Sequence, residues 1–260
     1  MNILEQIVTM TQKRLLKKKA ALPLDSLKKQ KMPQREPFIF QKALSKDNIA
    51  FICEVKKASP SKGIIDESFP YVEIAREYEK AGADAVSVLT EPDFFMGDTA
   101  YLEQIRQHIN IPILCKDFII DPYQIYEAKN AGADAVLLIC AILNAHSLKE
   151  YIDLAHALGM SALVEIHDER ELLMALKCGA KVIGANNRDL KTFNVDTDTS
   201  IRLRRLAPAS TIFISESGIK TRANIIKLEQ SQINGVLVGE TLMCSTNKQA
   251  ALNELRGITI

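Results

Sequence analysis

One hexapeptide that occurs twice, AGADAV, constrains this chain more than any other feature. AGADAVSV begins at Ala81 and AGADAVLL at Ala131, and CGAKVIGA from Cys178 and INGVLVGE from Ile233 are progressively looser copies. Each copy reads the same way: a helix ends at a glycine able to adopt the left-handed conformation, and a short β-branched strand follows at once. Between the copies lie four more apolar runs of strand character, FICEV from Phe51, PILCK from Pro112, ALVEI from Ala162 and TIFIS from Thr211.

Strand starts therefore fall near residues 51, 85, 112, 135, 162, 182, 212 and 236. The spacers carry the helical period; YVEIAREYEKAG and SLKEYIDLAHALG place apolar residues at i, i+3/i+4 and i+7. Eight consecutive βα units predict an α/β chain folded as a (βα)8 TIM barrel. The alternative is a doubly wound open sheet, which usually carries a glycine-rich first turn; no G-x-G-x-x-G occurs here. Residues 1–47 precede the count and read as a helical extension capping the barrel of residues 48–260. Two helices are expected in it, around 3–19 and 35–45, joined by a Pro-bearing segment.

Through Arg35 the extension holds nine Lys/Arg and two acids. This is either a solvated helical face or a positive rim that draws an anionic substrate. Over the whole chain 33 Lys+Arg meet 32 Asp+Glu, so a nucleic-acid partner is not expected. No apolar run approaches ~20 residues, and no secretory signal is visible, which argues against a membrane association and for a cytoplasmic protein. The five cysteines are scattered without a C-x-x-C pair, so neither disulfides nor a metal site is expected. Of four histidines only His167, in LVEIHDER, lies among acids.

In such barrels chemistry sits at the C-terminal ends of the strands. The first strand offers Glu54 and Lys56, two apart and so on its inner side, with Cys53 and Val55 facing the helices. Glu91 follows the second strand, Lys116 ends the third, Glu165 the fifth, Asn186 and Arg188 the sixth, and Glu216 and Ser217 the seventh. Converging charges of this kind are costly to bury without a role. SESG and VGET place Gly218 and Gly239 after strands seven and eight, the usual phosphate place of the architecture. The first loop, KKASPSKG, adds Ser59, Ser61 and Lys62, either as a closing polar turn or as a plain surface turn around Pro60. These residues indicate acid–base chemistry on a sugar phosphate and leave the reaction open. A Schiff-base aldolase, an isomerase and a catalytically inert phosphate-binding barrel all fit the pattern.

The motifs EVKKASPSKG, SVLTEPDFFMG, KDFIIDPYQI, GANNRDL, SESGI and VGETLM, in order over residues 50–243, resemble the indole-3-glycerol phosphate synthases. The resemblance implies decarboxylating, dehydrating ring closure of 1-(2-carboxyphenylamino)-1-deoxyribulose 5-phosphate, a lyase step of tryptophan biosynthesis without a cofactor. It implies Lys116 as general acid, and Glu165 as the group that stabilises positive charge and accepts a proton. Glu54 would assist proton transfer and hold Lys116; Lys56 would bind the anthranilate carboxylate or serve as acid in dehydration. Asn186 would hydrogen-bond sugar hydroxyls, with Arg188 on the carboxylate and Glu216 among the substrate contacts. Ser59, Ser217, Gly218, Gly239 and the Glu240 backbone would cradle phosphate. Phe95, Phe118 and Leu137 would form an apolar slot for the aromatic ring. Mutual repulsion between Lys56 and Lys116 would lower a lysine pKa towards neutrality, against the pull of Glu54 and Glu165. The expected partner is a phosphorylated small molecule, and the expected state a monomer or weak homodimer.

Overall fold

The structure, a computed structural model, describes residues 2–189 and 192–258. The outer ends of the expected extension and barrel (Met1 and Ile260) and Leu190 of GANNRDL lie outside the described residues. Eight strands form the barrel: β1 (Ala50–Val55), β2 (Ala85–Leu89), β3 (Ile113–Lys116), β4 (Ala135–Ile139), β5 (Ser161–Ile166), β6 (Val182–Asn186), β7 (Ile212–Glu216) and β8 (Gly235–Val238). Every start lies within one residue of the expected position. Each strand pairs in parallel with its sequence neighbours, and β8 closes on β1.

The repeated segment has a second function beyond the glycine stop. Gly82, Gly132 and Gly179 take φ of +81°, +95° and +85° and end their helices as expected. In the fourth copy the left-handed residue is Gln232 (φ +58°), not Gly235, which already belongs to β8. Gly235 is small for another reason: a Cβ there would stand 2.9 Å from Ile214 Cδ1 inside the barrel. In three of the four copies the side chain before the strand is an acceptor. Asp84 takes the Phe51 N–H, Asp134 the Ile113 N–H and Asn234 the Phe213 N–H, so these units fasten the start of a neighbouring strand.

Alternation along the strands separates two apolar layers. Ile52, Leu114, Leu137, Leu163, Ile214 and Leu237 fill the barrel. Phe51, Cys53, Val55, Val86 and Cys115 face the helices, among them α4 (Tyr71–Lys80). Labelling all helices in chain order, α1 (Ile3–Ala21), α2 (Leu24–Lys28) and α3 (Ile39–Leu44) precede β1; α5 (Pro92–Phe95) and α6 (Thr99–Arg106) follow β2. Then come α7 (Pro122–Asn130), α8 (Ala145–Ala157), α9 (Glu169–Lys177), α10 (Asp198–Arg204), α11 (Arg222–Gln230), α12 (Glu240–Met243) and α13 (Lys248–Arg256).

The N-terminal segment touches both ends of the barrel. The helix expected over 35–45 is shorter, because Pro37 and a left-handed Phe38 delay its first turn until Ile39. α3 inserts Phe40 and Leu44 beneath the barrel floor, where Gln41 N–H donates to Ser161 Oγ at 3.2 Å. At the opposite end α1 lends Ile3, Leu4 and Ile7 to the mouth. Four of the nine basic residues counted through Arg35 are spent on ion pairs: Arg14 with Glu91, Lys18 with Glu127, Lys19 with Asp121, and Arg35 with buried Asp134.

Candidate active site

The mouth opens into a cavity of 740 Å³ lined by the ends of the strands and the loops beyond them. Its floor is one layer of side chains from alternate strands, the construction typical of this barrel. Glu54 (β1), Lys116 (β3), Glu165 (β5) and Glu216 (β7) make up that layer, all of them lining the cavity. Lys116 Nζ lies 3.1 Å from Glu216 Oε2 and 3.4 Å from Glu165 Oε2. Lys56, the first residue past β1, turns back to ion-pair with Glu54.

One lysine between buried carboxylates settles the local charge states. Burial pulls the Lys116 ammonium down, but the charges of Glu216, Glu165 and Glu54 outweigh it and push it above the ordinary lysine range. The expected lowering by Lys56 is therefore overturned: three carboxylates surround Lys116, and Lys56 is engaged with Glu54. Burial raises Glu165 too, yet Lys116, His167 and Asn186 hold it below the usual carboxylate range. Glu216 goes the other way. Burial lifts it, and the neighbouring Glu165 charge adds to that, despite Lys116. Its Oε1 is buried without a hydrogen-bond partner and points over Gly184, where any Cβ would collide with it. A protonated Lys116 is in the wrong state to form an imine, which disfavours the aldolase reading.

Two glycine turns face the floor across the cavity. Ser217 and Gly218 are both left-handed, at φ +69° and +82°, which directs this turn around the end of β7. Ser217 is held there by a residue the sequence had offered only inside a motif. Asn187, buried, donates from Nδ2 to Ser217 O at 2.9 Å and to Ser215 Oγ at 3.0 Å, and Ser217 Oγ donates to Asn186 Oδ1 at 2.9 Å. After β8, Gly239 lets the chain pass against Glu54; a Cβ there would also stand 3.0 Å from Lys56 Nζ. Thr241 Oγ1 donates to Ile219 O at 2.7 Å and ties the two turns together. The first loop folds into a two-residue hairpin, Ala58–Ser59 against Gly63–Ile64, and brings Ser59, Ser61 and Lys62 to the cavity; Lys62 pairs with Glu240 at 3.2 Å.

The apolar side is equally built. Phe95 and Phe118 lie with ring centroids 5.9 Å apart, and Leu137 lines the same cavity. Asp117 accepts the Phe118 N–H at 2.7 Å and the Thr90 hydroxyl at 2.8 Å, which fixes the turn that carries Phe118. Glu91 does not line the cavity, contrary to its count among the converging strand-end groups. Its buried carboxylate caps α5, accepting N–H groups of Asp93, Phe94 and Phe95, and receives Arg14 Nη1 at 3.0 Å. An acid two residues beyond a strand was free to turn either way, and the unpaired N–H groups of α5 decide it.

The sequence model of the indole-3-glycerol phosphate synthases matches residues 4–255. The chain belongs to that family. It is 51% identical over 257 residues to the indole-3-glycerol phosphate synthase of Ruminiclostridium cellulolyticum, covering 98% of this chain and 99% of the relative. The same enzyme of Endomicrobium trichonymphae is 54% identical over 256 residues, with 98% and 99% covered. Among solved structures, a 3-hexulose-6-phosphate synthase superposes with TM-score 0.66 at 16% identity, over 82% of this chain and 100% of that one. A tryptophan synthase complex from Pyrococcus furiosus gives 0.60 at 15%, over 80% and 98%. These two likenesses show the barrel fold. The family sets the activity: a carboxy-lyase of tryptophan biosynthesis that closes the indole ring of 1-(2-carboxyphenylamino)-1-deoxyribulose 5-phosphate with loss of carbon dioxide and water.

Every residue expected from the resemblance to this family lines the one cavity: Glu54, Lys56, Ser59, Phe95, Lys116, Phe118, Leu137, Glu165, Asn186, Arg188, Glu216, Ser217, Gly218, Gly239 and Glu240. Arg188 sits at the rim, its Nη1 donating to Phe193 O at 3.3 Å and its backbone N–H to Asn186 Oδ1 at 3.0 Å. Sequence reasoning passed over Asn187, Asp117 and Arg14. A second Asn beside Asn186 was the one available signal for the first; the others act across 27 and 77 residues of chain and leave no local trace.

Proposed function

We propose that the substrate lies across this cavity with its phosphate between the Ser217–Gly218 and Gly239–Glu240 turns and its aromatic ring in the Phe95–Phe118–Leu137 slot. The carrying observation is Lys116, held protonated on the floor of the cavity that both ends line. In this reading Lys116 donates to the ketone oxygen, which gains charge as the ring closes, and a preorganised cation is worth most at such an atom. Glu165, ionised beside it, stabilises the cationic intermediate and accepts the proton lost on rearomatisation. Glu54 shares the layer and keeps Lys56 directed at the cavity. Lys56 and Arg188 bind the anthranilate carboxylate, and Lys56 serves as the acid in dehydration. Asn186 and the unpartnered Glu216 oxygen suit the sugar hydroxyls, and Ser59 closes over the phosphate from the first loop. Anchoring both ends of the substrate aligns the attacking ring carbon with the ketone carbon.

Residues 1–47 serve in this reading as a cap on the barrel of residues 48–260, with α1 completing the rim through Ile3, Leu4 and Ile7. The net charge of +1 supports a free small molecule rather than a nucleic acid as the partner, and the enzyme is read as a monomer or weak homodimer in the cytoplasm. Gly218→Val tests the phosphate assignment. Its Cβ would meet Val195 and come within 3.2 Å of Thr197 Cγ2, so the turn must move. KM is expected to rise at least about tenfold with kcat little changed, and competitive inhibition by inorganic phosphate to weaken in parallel. A selective loss of kcat with KM unmoved would place the phosphate elsewhere.

A further inference from the structure

His167 follows β5 at the position that returns to the side of Glu165, yet it does not line the cavity. Its Nδ1 lies 3.0 Å from Glu171 Oε2, and the same oxygen accepts the His167 backbone N–H at 2.8 Å. Glu171 is itself set in the first turn of α9, its N–H donated to the capping Asp168. The ring is thus clamped from behind. Its other nitrogen, Nε2, stands 3.4 Å from Glu165 Oε1, an ion-pair contact without hydrogen-bond alignment, and this buried atom has no hydrogen-bond partner. The second oxygen of Glu165, Oε2, faces Lys116. Glu165 accordingly has one cationic group on each oxygen.

We propose that His167, clamped by Glu171, is a positioning residue that keeps the Glu165 carboxylate charged and aimed for the proton transfers of ring closure. The proposal rests on the reading of Glu165 as proton acceptor given above. Its physical need comes from competition on the floor. Glu216 competes with Glu165 for Lys116, and Lys56 is engaged with Glu54. His167 gives the Oε1 side of Glu165 a cation of its own. Burial tends to discharge its imidazole, but Glu165 and Glu171 outweigh that and hold it up at about 10, protonated at neutral pH. The groups facing this pair are Glu171 and Asp168 on the α9 side, Cys140 behind Glu171, and Lys116, Glu216 and Asn186 across the cavity.

The test compares His167→Gln, which keeps a donor of similar reach without the charge, with His167→Lys, which keeps a charge. In His167→Gln the Glu165 carboxyl loses a cation, so the acid limb of the kcat profile should move up by about 1–3 pH units. At pH 7 kcat should fall about tenfold to a hundredfold, with KM within twofold of wild type. His167→Lys should recover most of the acid limb. In a Glu165→Gln background, His167→Gln should cost nothing further. Should His167→Gln fold poorly, Glu171→Gln leaves the ring in place and is expected to move the limb in the same direction by less. Full activity in Glu165→Gln alone would remove the reading on which the proposal stands. An inactive Glu165→Gln together with a wild-type acid limb in His167→Gln, whatever its melting temperature, would overturn the role of His167 and leave that reading intact.

Discussion

Replacing Lys116 by Met keeps the volume and removes the charge, so its effects separate chemistry from electrostatics. The Lys116 side chain is 15% exposed, Glu165 5% and Glu216 3%, so solvent screens this cluster little. Breaking a buried pair by deleting one partner costs about 3–5 kcal/mol when the orphaned charge has no escape. Here it has one, because a carboxyl takes up a proton instead of staying charged and alone. Forcing a proton onto an ordinary carboxyl costs about 3–4 kcal/mol at pH 7 and about 1 kcal/mol at pH 5, which sets a ceiling on the damage at each pH. The sign follows from both proteins. In wild type the depressed Glu165 contributes stability that is present above the unfolded pKa and lost as pH falls. In Lys116→Met burial of the floor is no longer opposed by the lysine. Glu216, which has Lys116 alone, moves up most, and Glu165, left with His167 and Asn186, moves up less, so the variant loses stability as pH rises through their folded pKa values. The deficit against wild type should therefore be about 3 kcal/mol near pH 7 and shrink to about 1 kcal/mol at pH 5. Urea unfolding followed by circular dichroism at the two pH values measures it. Turnover should fall by about 10²–10⁴-fold or more for loss of a general acid, read by indole fluorescence, which a chain without Trp leaves unobscured. A deficit equal or larger at pH 5, or turnover within tenfold of wild type, would refute the account of Lys116 as the cation that balances the floor.

Two further substitutions probe the supports of the site. Gly184→Ala puts a methyl where Glu216 Oε1 lies and within 3.2 Å of Leu163 Cδ1, so Glu216 must swing out of the layer. It is expected to lower kcat/KM at least about tenfold while far-UV circular dichroism stays that of the folded barrel, and an unchanged kcat/KM would deny Glu216 its place in the reaction. Arg14→Ala removes the tie between α1 and the Glu91 cap of α5, the helix that carries Phe95. A loss of about 1–3 kcal/mol in urea unfolding is expected, with KM rising more than kcat falls; a variant as stable as wild type would mean that the three N–H groups of α5 satisfy Glu91 unaided.

How much of this was readable from the chain depends on whether a neighbour is near in sequence or only in space. Strand starts were readable to within a residue because each βα unit signals itself locally, through a left-handed glycine and a β-branched run. The fourth unit shows the limit. Gln232 takes the left-handed turn in place of glycine, so the alignment slipped onto Gly235, whose smallness serves barrel packing. The path of the N-terminal segment was not readable at all. Its helices carry no periodicity that names a partner, and its ion pairs reach across 77 to 109 residues.

The site was legible as a set and illegible in its charge states, and a single geometric step separates the two. Glu54 and Lys56, two apart, invite a pairing of Lys56 with Lys116 as like charges facing each other. β1 ends at Val55, however, so Lys56 leaves the layer and folds back on Glu54. What remains in the layer comes from alternate strands, as barrel closure requires: Glu54, Lys116, Glu165 and Glu216. Three acids and one base in one buried ring admit a protonated lysine and one carboxyl that tends to keep its proton. The side-chain partners of each carboxyl then select which is which. Glu165 keeps its charge because Lys116, His167 and Asn186 serve it, whereas Glu216 has Lys116 alone and an oxygen pressed over Gly184. The ordering of acid and base on this floor is thus a property of the closed ring and its second cation, which no residue spacing along the chain encodes.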